Sequence, residues 1–500
     1  MAHKADLLLD FGASLGEISP MIYGHFAEHI GGVYYDGLWV GEDSKVENVR
    51  GFRKALVDSF KKISPPVLRW PGGCFAETYD WRDGIGPKEN RPERVNWWYT
   101  FDKRTETNQV GTHEFCDFCE MVGAEPYFAA NMTSTTPLHI RNWAEYVNLP
   151  ENLTTLTRER AQNGHPAPFD VKYWGIGNEN WGGGGQMSPE MYMREYMRYS
   201  AVINSLDRGR IMKFIMCGAN GHDIDWTRRI MQEMAKTKYP EAATWGMSVH
   251  YYCGTAGTPQ EFTKDQWYEL LFKADFMRRI VDDHRAAMDE FDPERKIALV
   301  VDEWGCWHKD GTGPSGGYNL FEQQSSMRDA VVAALTLNIF NNRSDVVKMA
   351  NVAQLCNNLH SLYLAGGEHF VETPNYHVFD MFKTHQGAKH VRTRVKCDIL
   401  TRDGYRPLEM VSASASEKDG MVTITLANLS AEEEAIITLS AAERSLPEKG
   451  VFTILAHEDL HAVNDFENPK RVTPTSKEIS LSGAKEIRLP KGAVAALVLG

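Results

Sequence analysis

The feature that most constrains the fold of this chain is a regular alternation of short apolar segments with amphipathic stretches. Eight segments have the length and composition of buried strands. They are residues 22–28, 67–70, 125–131, 171–179, 213–219, 245–252, 297–303 and 347–354. Stretches with helical periodicity lie between them, at residues 52–63, 112–122, 189–203, 226–236, 266–290 and 325–341. Eight strands that alternate with helical stretches predict a (β/α)8 barrel.

A doubly wound open sheet would also alternate strands and helices. Its polar residues would gather at one switch point, where the strand order reverses. In this chain polar residues recur at the ends of nearly all eight predicted strands. This distribution favours the closed barrel.

The pattern changes after about residue 385, where short segments alternate apolar and polar residues between turn formers. Residues 420–429, 435–439, 452–455, 478–481 and 493–499 read as antiparallel strands, which predicts a β-sandwich. Residues 5–11 read as a strand before the barrel, and we expect it to pair into the same sandwich. The predicted division is therefore residues 1–19 joining the sandwich, 20–385 forming the barrel, and 386–500 forming the sandwich.

Charge and the first residues exclude several classes of function. Acidic residues outnumber basic ones by 67 to 54, which argues against nucleic-acid binding and against docking on anionic membranes. The first twenty residues contain no apolar leader, and no run of about 18 apolar residues occurs. The eight cysteines are scattered through predicted helices and strands, which suits free thiols in a reducing compartment. A cytoplasmic protein is expected.

Two glutamates indicate the chemistry. Glu179 ends the fourth predicted strand and Glu303 ends the seventh, each directly after an apolar run. Burying a carboxylate is costly without a purpose, and strands four and seven lie nearly opposite each other in a closed barrel. Two carboxylates that face each other across a cleft are what glycosidic cleavage requires.

Aromatic residues accompany the predicted strand ends, and sugars pack their C–H faces on such rings. The set that we expect to crowd this rim comprises Trp70, Trp81, Trp97, Trp98, Trp174, Trp181, Tyr251, Tyr252, Trp304 and Trp307. Any single Trp is usually core packing. A cluster in predicted loops favours a carbohydrate site.

Several short motifs, taken in order, resemble those of the glycoside hydrolase family 51 α-L-arabinofuranosidases. They are residues 22–29 (IYGHFAEH), 69–75 (RWPGGCF), 81–87 (WRDGIGP), 108–111 (NQVG), 177–179 (GNE), 249–252 (VHYY), 302–304 (DEW) and 353–355 (AQL). The resemblance implies a retaining, exo-acting enzyme that removes terminal arabinofuranosyl groups from arabinan or arabinoxylan oligosaccharides. It also implies a homo-oligomer, often a hexamer.

The resemblance assigns a role to each matching residue. Glu179 would be the general acid/base and Glu303 the nucleophile. Asn178 would bind the sugar 2-hydroxyl, and Tyr252 would donate a hydrogen bond to Glu303. The remaining assignments are that Arg69 keeps Glu303 ionised, His250 supports the acid/base, Glu28, Cys74 and Gln354 bind furanose hydroxyls, and Phe26 packs nearby.

No metal or organic cofactor is expected, because this hydrolysis needs only carboxylates. Cys116 and Cys119 have half of a zinc-ligand spacing, but they fall on a predicted helix without a second pair, so buried thiols are favoured.

Two alternatives stay open from the sequence: an endo-β-glucanase on the same scaffold, and a non-catalytic carbohydrate-binding barrel. The glycine run at residues 182–185 is found in only part of the family, and we expect it to border the leaving-group side.

Overall fold

The computed structural model describes residues 2–100, 105–206, 211–238, 244–254, 256–481 and 485–500. Eight parallel strands close into a barrel, in the order of the chain. From the first to the eighth they are Gly24–Phe26, Val67–Trp70, Glu125–Ala130, Tyr173–Ile176, Lys213–Asn220, Gly246–Gly254, Ala298–Trp307 and Val347–Ala353. Each predicted strand overlaps an observed one, so the predicted barrel is confirmed.

Helices surround the barrel, and several begin at a side chain that caps the free backbone N–H groups of the first turn. Ser188, which precedes Pro189, accepts a hydrogen bond from the N–H of Met191. Thr136, Asp223 and Thr263 cap three other helices in the same way. The helices are Lys54–Lys62, Thr112–Val122, Pro137–Asn148, Thr155–Gln162, Pro189–Asn204, Ile224–Ala235, Lys264–Asp275, Met277–Asp289, Met327–Asn341 and Pro374–Phe382.

The predicted helix at residues 266–290 is wrong as a single element. The structure divides it into Lys264–Asp275 and Met277–Asp289, with Phe276 between them. Three helices were not predicted, namely Pro137–Asn148, Thr155–Gln162 and Pro374–Phe382.

In the described residues, the main sheet of the second, all-β part has nine strands. They are Ala2–Asp10, Lys389–Cys397, Val411–Lys418, Met421–Asn428, Glu434–Ala442, Lys449–Leu455, Thr475–Ser480, Glu486–Leu489 and Val494–Leu499. Strand Lys389–Cys397 pairs with Val411–Lys418 over its first residues and with Ala2–Asp10 over the rest. The sheet thus passes from one layer to the other, and residues of both layers, such as Leu7 and Ile424, share one buried core. This is the predicted β-sandwich.

Strand Ala2–Asp10 lies inside this sheet, where it pairs in parallel with Glu434–Ala442. Its residues alternate between exposed and buried positions, as expected for a strand with one face on a core.

Helix Met327–Asn341 joins the two parts. Every residue of this helix is buried, which fits a helix that is covered on all sides. Its Asn338 and Asn341 donate hydrogen bonds to Ser412 and Ser414 of the sandwich. Among the described residues, no helix is both long and apolar enough to cross a bilayer.

Candidate active site

A cavity of about 350 Å³ opens at the carboxyl ends of the barrel strands. Its walls come from the segments that follow or end six different strands, which is where barrel enzymes carry their reactive groups. The lining residues are Glu28, Ile30, Gly73, Cys74, Trp98, Asn178, Glu179, Gly183, Tyr252, Glu303, Trp307, Phe321, Gln354 and Leu359. The two glutamates predicted from the sequence therefore face the same space.

Glu179 reaches the cavity through a tight turn after the fourth strand, which ends at Ile176. Gly177 and Glu179 both have left-handed backbone angles, with φ of 85° and 45°. The Glu179 side chain is 21% exposed, and one of its oxygens accepts a hydrogen bond from His250 Nδ1 at 2.9 Å. The Cys74 thiol donates to its other oxygen at 3.7 Å. One face of this carboxyl group remains open to the cavity.

Glu303 is held more tightly. Arg69 Nη1 donates to one oxygen at 2.7 Å, and the Tyr252 hydroxyl donates to the other at 2.9 Å. The seventh strand continues four residues beyond Glu303 to Trp307, so the prediction that Glu303 ends this strand is wrong. The pairing register of the strand shifts next to Glu303, between Val301 and Trp304, which lets an acidic side chain turn inward.

The two carboxyl groups are close together. One oxygen of Glu179, one oxygen of Glu303 and a ring nitrogen of His250 all lie within 4.8 Å of one another. Retaining glycosidases place their carboxyl groups about 5–5.5 Å apart, whereas inverting enzymes need about 6.5–9.5 Å to admit a water molecule. Oxygens within 4.8 Å of each other lie on the short side of this division.

His250 lies between three carboxylates. Its Nδ1 is 2.9 Å from Glu179 and 3.4 Å from Glu303, and its Nε2 is 3.0 Å from Asp302. Burial disfavours the charged ring, but the charges of Glu303 and Asp302 outweigh burial and raise the pKa of His250 to about 10. The ring is therefore an imidazolium, whose Nδ1 donates to Glu179 and whose Nε2 forms an ion pair with Asp302.

The charge of Glu303 is set by opposing influences. Burial raises the pKa of Glu303; His250 and Arg69 lower it and Glu179 raises it further, so that the pKa stays above its ordinary value. Burial also acts against the charge of Arg69, but Asp302 and Glu303 outweigh it and raise the pKa of that guanidinium. Arg69 Nη2 also donates to Asn178 Oδ1 at 2.6 Å, so one guanidinium connects Asn178 to Glu303.

Glu28, Cys74 and Gln354 also line the cavity. Glu28 accepts hydrogen bonds from the N–H of Phe75 at 3.0 Å and from Gln354 Nε2 at 3.1 Å. Burial, with the charge of Glu303, raises the pKa of Glu28 to about 7. Burial likewise raises the pKa of the Cys74 thiol, which is therefore neutral.

Gly73 shows why the turn before Cys74 is rich in glycine. A Cβ at this position would lie 3.0 Å from a Glu303 oxygen and 3.4 Å from Asn178 and Glu28. Any side chain at residue 73 would thus enter the space between the carboxylates of Glu303 and Glu28. The close approach of the Gly73 backbone to these groups therefore requires glycine.

Two family models match this chain. The α-L-arabinofuranosidase 1 domain covers residues 59–265, and the α-L-arabinofuranosidase C-terminal domain covers residues 302–492. An intracellular exo-α-L-arabinofuranosidase from Bacteroides ovatus is 40% identical over 97% of this chain and 93% of its own length. The chain belongs to the glycoside hydrolase family 51 α-L-arabinofuranosidases.

Solved structures of this family agree with the fold. The family 51 arabinofuranosidase from Xanthomonas axonopodis pv. citri is 35% identical and superposes with a TM-score of 0.92 over 100% of both chains. The α-L-arabinofuranosidase from Thermotoga maritima, solved with arabinose, is 30% identical with a TM-score of 0.86 over 99% of both chains. These relatives are arabinofuranosidases, so the comparisons favour neither the glucanase nor the non-catalytic alternative.

The predicted aromatic rim is largely wrong for this arabinofuranosidase. Trp70, Trp81, Trp174 and Trp304 are at most 1% exposed and belong to the core between the barrel and its helices. Trp70, for example, stacks on Phe115 of a surrounding helix with ring centroids 4.9 Å apart. Of the ten predicted aromatics, Trp98, Tyr252 and Trp307 line the cavity.

Phe26 does not line the cavity either. It is fully buried, and the guanidinium of Arg69 lies 4.5 Å above its ring. Phe26 therefore supports Arg69 from below and contributes to the site through it.

Three residues of the site were not predicted. Asp302 binds His250, and Tyr127 donates to Asp302 at 2.9 Å. Glu77, in the short helix Cys74–Thr78, lies behind Asn178. Asp302 could have been predicted, since it is an acidic residue within an apolar strand. The sequence gives no signal that Tyr127 or Glu77 belongs to the site.

Among the described residues, two groups of side chains could hold a metal ion. Besides the group of Glu179, His250 and Glu303, three buried residues bring ligand atoms within 4.8 Å of one another. They are Cys306, His308 and Asp329, and in this group His308 Nε2 already pairs with Asp329 at 2.8 Å. Cys116 and Cys119 are buried free thiols on one helix.

Proposed function

We propose that this protein is a retaining, exo-acting α-L-arabinofuranosidase with Glu179 as the general acid/base and Glu303 as the nucleophile. Its substrates would be arabinan or arabinoxylan oligosaccharides that end in an α-L-arabinofuranosyl group. The observation that carries the proposal is the close approach of two carboxyl groups with different surroundings. Glu303 is bound by a guanidinium and a phenol, whereas Glu179 keeps a face toward the cavity.

The first step forms a covalent intermediate. A carboxylate oxygen of Glu303 bonds to the anomeric carbon, and the bond from that carbon to the leaving oxygen breaks. Glu179 gives its proton to the leaving oxygen as this bond breaks. The alcohol departs, and an arabinosyl ester of Glu303 with inverted configuration is left.

The second step hydrolyses the ester. Glu179, now ionised, accepts a proton from a water molecule, whose oxygen bonds to the anomeric carbon. The bond to Glu303 breaks, so the carboxylate of Glu303 and the proton on Glu179 are both restored. Two inversions give net retention.

Asn178 is oriented for the sugar. Because its Oδ1 accepts from Arg69, its amide group directs Nδ2 toward Cys74, 4.0 Å away on the cavity wall. An N–H donor at this position suits the 2-hydroxyl, whose hydrogen bond strengthens as charge develops in the transition state.

The cavity wall suggests where the two halves of the substrate lie. Glu28 and Gln354 close the side beyond Glu303, which suits the polar hydroxyls of one terminal sugar. Gly183, from the glycine run, lines the cavity beside Cys74 on the Glu179 side. Since Glu179 protonates the leaving oxygen, the glycine run borders the leaving group.

Replacing each glutamate tests the two roles. Glu303→Ala should lose several orders of magnitude in rate, and added azide should give the β-arabinosyl azide by direct attack. Glu179→Ala should spare substrates with good leaving groups, and azide should give the α-arabinosyl azide through the intact ester. The opposite pattern of azide products would exchange the roles.

The product anomer tests the retaining chemistry. NMR of the first product should show α-arabinofuranose before mutarotation. A first product of β configuration would contradict the double displacement, whatever the effect of the variants.

The cellular setting and assembly are part of the same proposal. The Bacteroides ovatus relative is named intracellular, which supports action on short oligosaccharides inside the cell. A homo-oligomer, often a hexamer in this family, would give a light-scattering mass of several times 56.5 kDa. A mass of one chain would contradict that part.

A further inference from the structure

Glu77 is a buried carboxylate that the proposed reaction does not use. It is 2% exposed and lies in the short helix Cys74–Thr78, which follows the second barrel strand. Burial raises the pKa of Glu77, so the folded protein pays to keep an acidic group at this position. Such a cost indicates a function for the carboxyl group.

The partners of Glu77 come from two other loops. One oxygen accepts hydrogen bonds from the backbone N–H groups of Met132 and Thr133, both at 2.8 Å, in the loop after the third strand. The other oxygen accepts from the N–H of Asn178 at 2.7 Å and from Asn180 Nδ2 at 3.1 Å, in the loop after the fourth strand. Four N–H donors around one carboxylate favour its ionised form despite burial.

The contacts of Glu77 bracket the proposed acid/base. Asn178 and Asn180 are the two residues on either side of Glu179, which itself adopts a left-handed backbone conformation with φ of 45°. A non-glycine residue in this conformation persists only where its surroundings impose it. Glu77 supplies that constraint on both sides.

The same short helix also contacts the Glu179 side chain. Cys74, at its first position, donates to a Glu179 oxygen, while Glu77, near its last, holds the flanking backbone. Asn178 in turn accepts from Arg69, which binds Glu303. The backbone turn of the acid and the side chain of the nucleophile are thus joined through one chain of hydrogen bonds.

We infer that Glu77 is a positioning residue that fixes the turn of Glu179 so that its carboxyl group reaches the leaving oxygen. This inference rests on the proposed role of Glu179 as acid/base. It differs from a merely structural role in one respect: the loss of Glu77 must slow ester formation more for leaving groups that need the proton of Glu179 than for those that depart unprotonated.

Glu77→Gln is the sharpest test, because it keeps the size of the side chain and replaces one acceptor oxygen by an NH2 group. The NH2 group would face the backbone N–H groups of one loop, so that two hydrogen-bond donors would meet. A misplacement of about 1 Å can cost about 100-fold in a catalytic step. We expect kcat/KM to fall by about 10- to 100-fold on arabinobiose, whose leaving group needs the proton.

A substrate with a good leaving group distinguishes a defect in proton transfer from a general loss of activity. For 2,4-dinitrophenyl α-L-arabinofuranoside we expect kcat/KM to fall by less than about threefold, because its phenolate departs unprotonated. Azide should raise kcat on this substrate and yield the α-arabinosyl azide, since azide attacks the ester without a general base. An equal loss on both substrates, without an azide effect, would overturn the inference.

Asp292→Asn is a matched control. Asp292 is also a buried carboxylate that accepts backbone N–H groups, from Lys296 at 3.0 Å and Ile297 at 2.8 Å. It lies before the seventh strand, at the end of the barrel away from the cavity. Its replacement should lower the melting temperature and leave the ratio of kcat/KM between the two substrates unchanged.

Two further variants make every outcome decisive. Glu77→Asp keeps the charge with a shorter side chain, and it should show the same substrate split if Glu77→Gln fails to fold. Glu179→Ala, measured in parallel, should show the largest split. If Glu179→Ala has no split, the proposed function fails; if it has one and neither Glu77 variant does, only the inference on Glu77 fails.

Discussion

Tyr252→Phe removes the hydroxyl group next to Glu303. It tests how much a hydrogen bond to the proposed nucleophile contributes to the rate. The Tyr252 hydroxyl donates to a Glu303 oxygen at 2.9 Å, opposite the oxygen that Arg69 binds. Phe retains the ring, which packs edge-on against Trp307 with centroids 5.1 Å apart. The change therefore isolates one hydrogen bond to a charged group.

The size of the effect follows from that contact. A hydrogen bond to a charged group contributes about 1.5–3 kcal/mol. At about 1.4 kcal/mol per tenfold, its loss should lower kcat/KM by roughly 10- to 150-fold. Because Tyr252 acts on the nucleophile, the loss should be similar for substrates with good and poor leaving groups.

Tyr251→Phe provides the control on the neighbouring residue. The Tyr251 hydroxyl donates to the backbone carbonyl of Lys273 at 2.7 Å, away from the cavity. The assay is steady-state hydrolysis of aryl arabinofuranosides, with melting temperature measured for both variants. A loss of less than about threefold for Tyr252→Phe, or a loss equal to that of Tyr251→Phe, would refute the reasoning.

Three further predictions concern the charged groups around the cavity. The folded-state pKa of His250 is about 10 against a usual 6.5, so its charge stabilises the fold fully below pH 6.5 and this stabilisation is lost toward pH 10. His250→Gln should remove that part of the pH dependence in chemical denaturation. Glu28 has a pKa raised from 4.5 to about 7, so it favours folding below pH 4.5 and this is lost as the pH rises through 7. The melting temperature of Glu28→Gln relative to the parent protein should therefore increase between pH 4.5 and pH 8. Arg69→Met removes one of the two cations that face Glu303 and Asp302 and leaves only His250, and it should cost about 3–5 kcal/mol in the free energy of unfolding at neutral pH.

Each of these has an outcome that contradicts it. An unchanged pH profile for His250→Gln would mean that the ring is neutral in the fold. A melting-temperature difference for Glu28→Gln that is constant with pH would mean that this carboxyl group titrates normally. For Arg69→Met, a cost below about 1 kcal/mol would mean that the buried carboxylates find other partners.

Strand and helix order follow from the sequence because they depend on local periodicity. The second strand, Val67–Trp70, and the helix Thr112–Val122 have the predicted bounds, since a turn former or a change of period marks each end. Helix Thr155–Gln162 was missed, because it is short and mostly polar and its apolar contacts are few. Periodicity cannot signal a helix that lacks an apolar face.

The candidate pair of glutamates could also be found from the sequence, because a carboxylate after an apolar strand is costly wherever the chain folds. The sequence does not show whether an aromatic side chain on a barrel strand points into the barrel or outward to the helices. Trp174 and Trp304 both pack on surrounding helices, against Trp143 and Phe340. Their strands are also buried on the face that points into the barrel, so the local sequence looks the same for either direction.

What only the tertiary structure decided is which groups meet. Glu77 gains its four donors, and His250 its three carboxylates, because loops and strands distant in the sequence converge at one end of the barrel. The sequence by itself determined the family, the barrel and the two glutamates, since these depend on residue type and order along the chain. The charge of His250 and the constraint on Glu179 depend on distances of a few ångströms between separate segments, and closure of the barrel sets those distances.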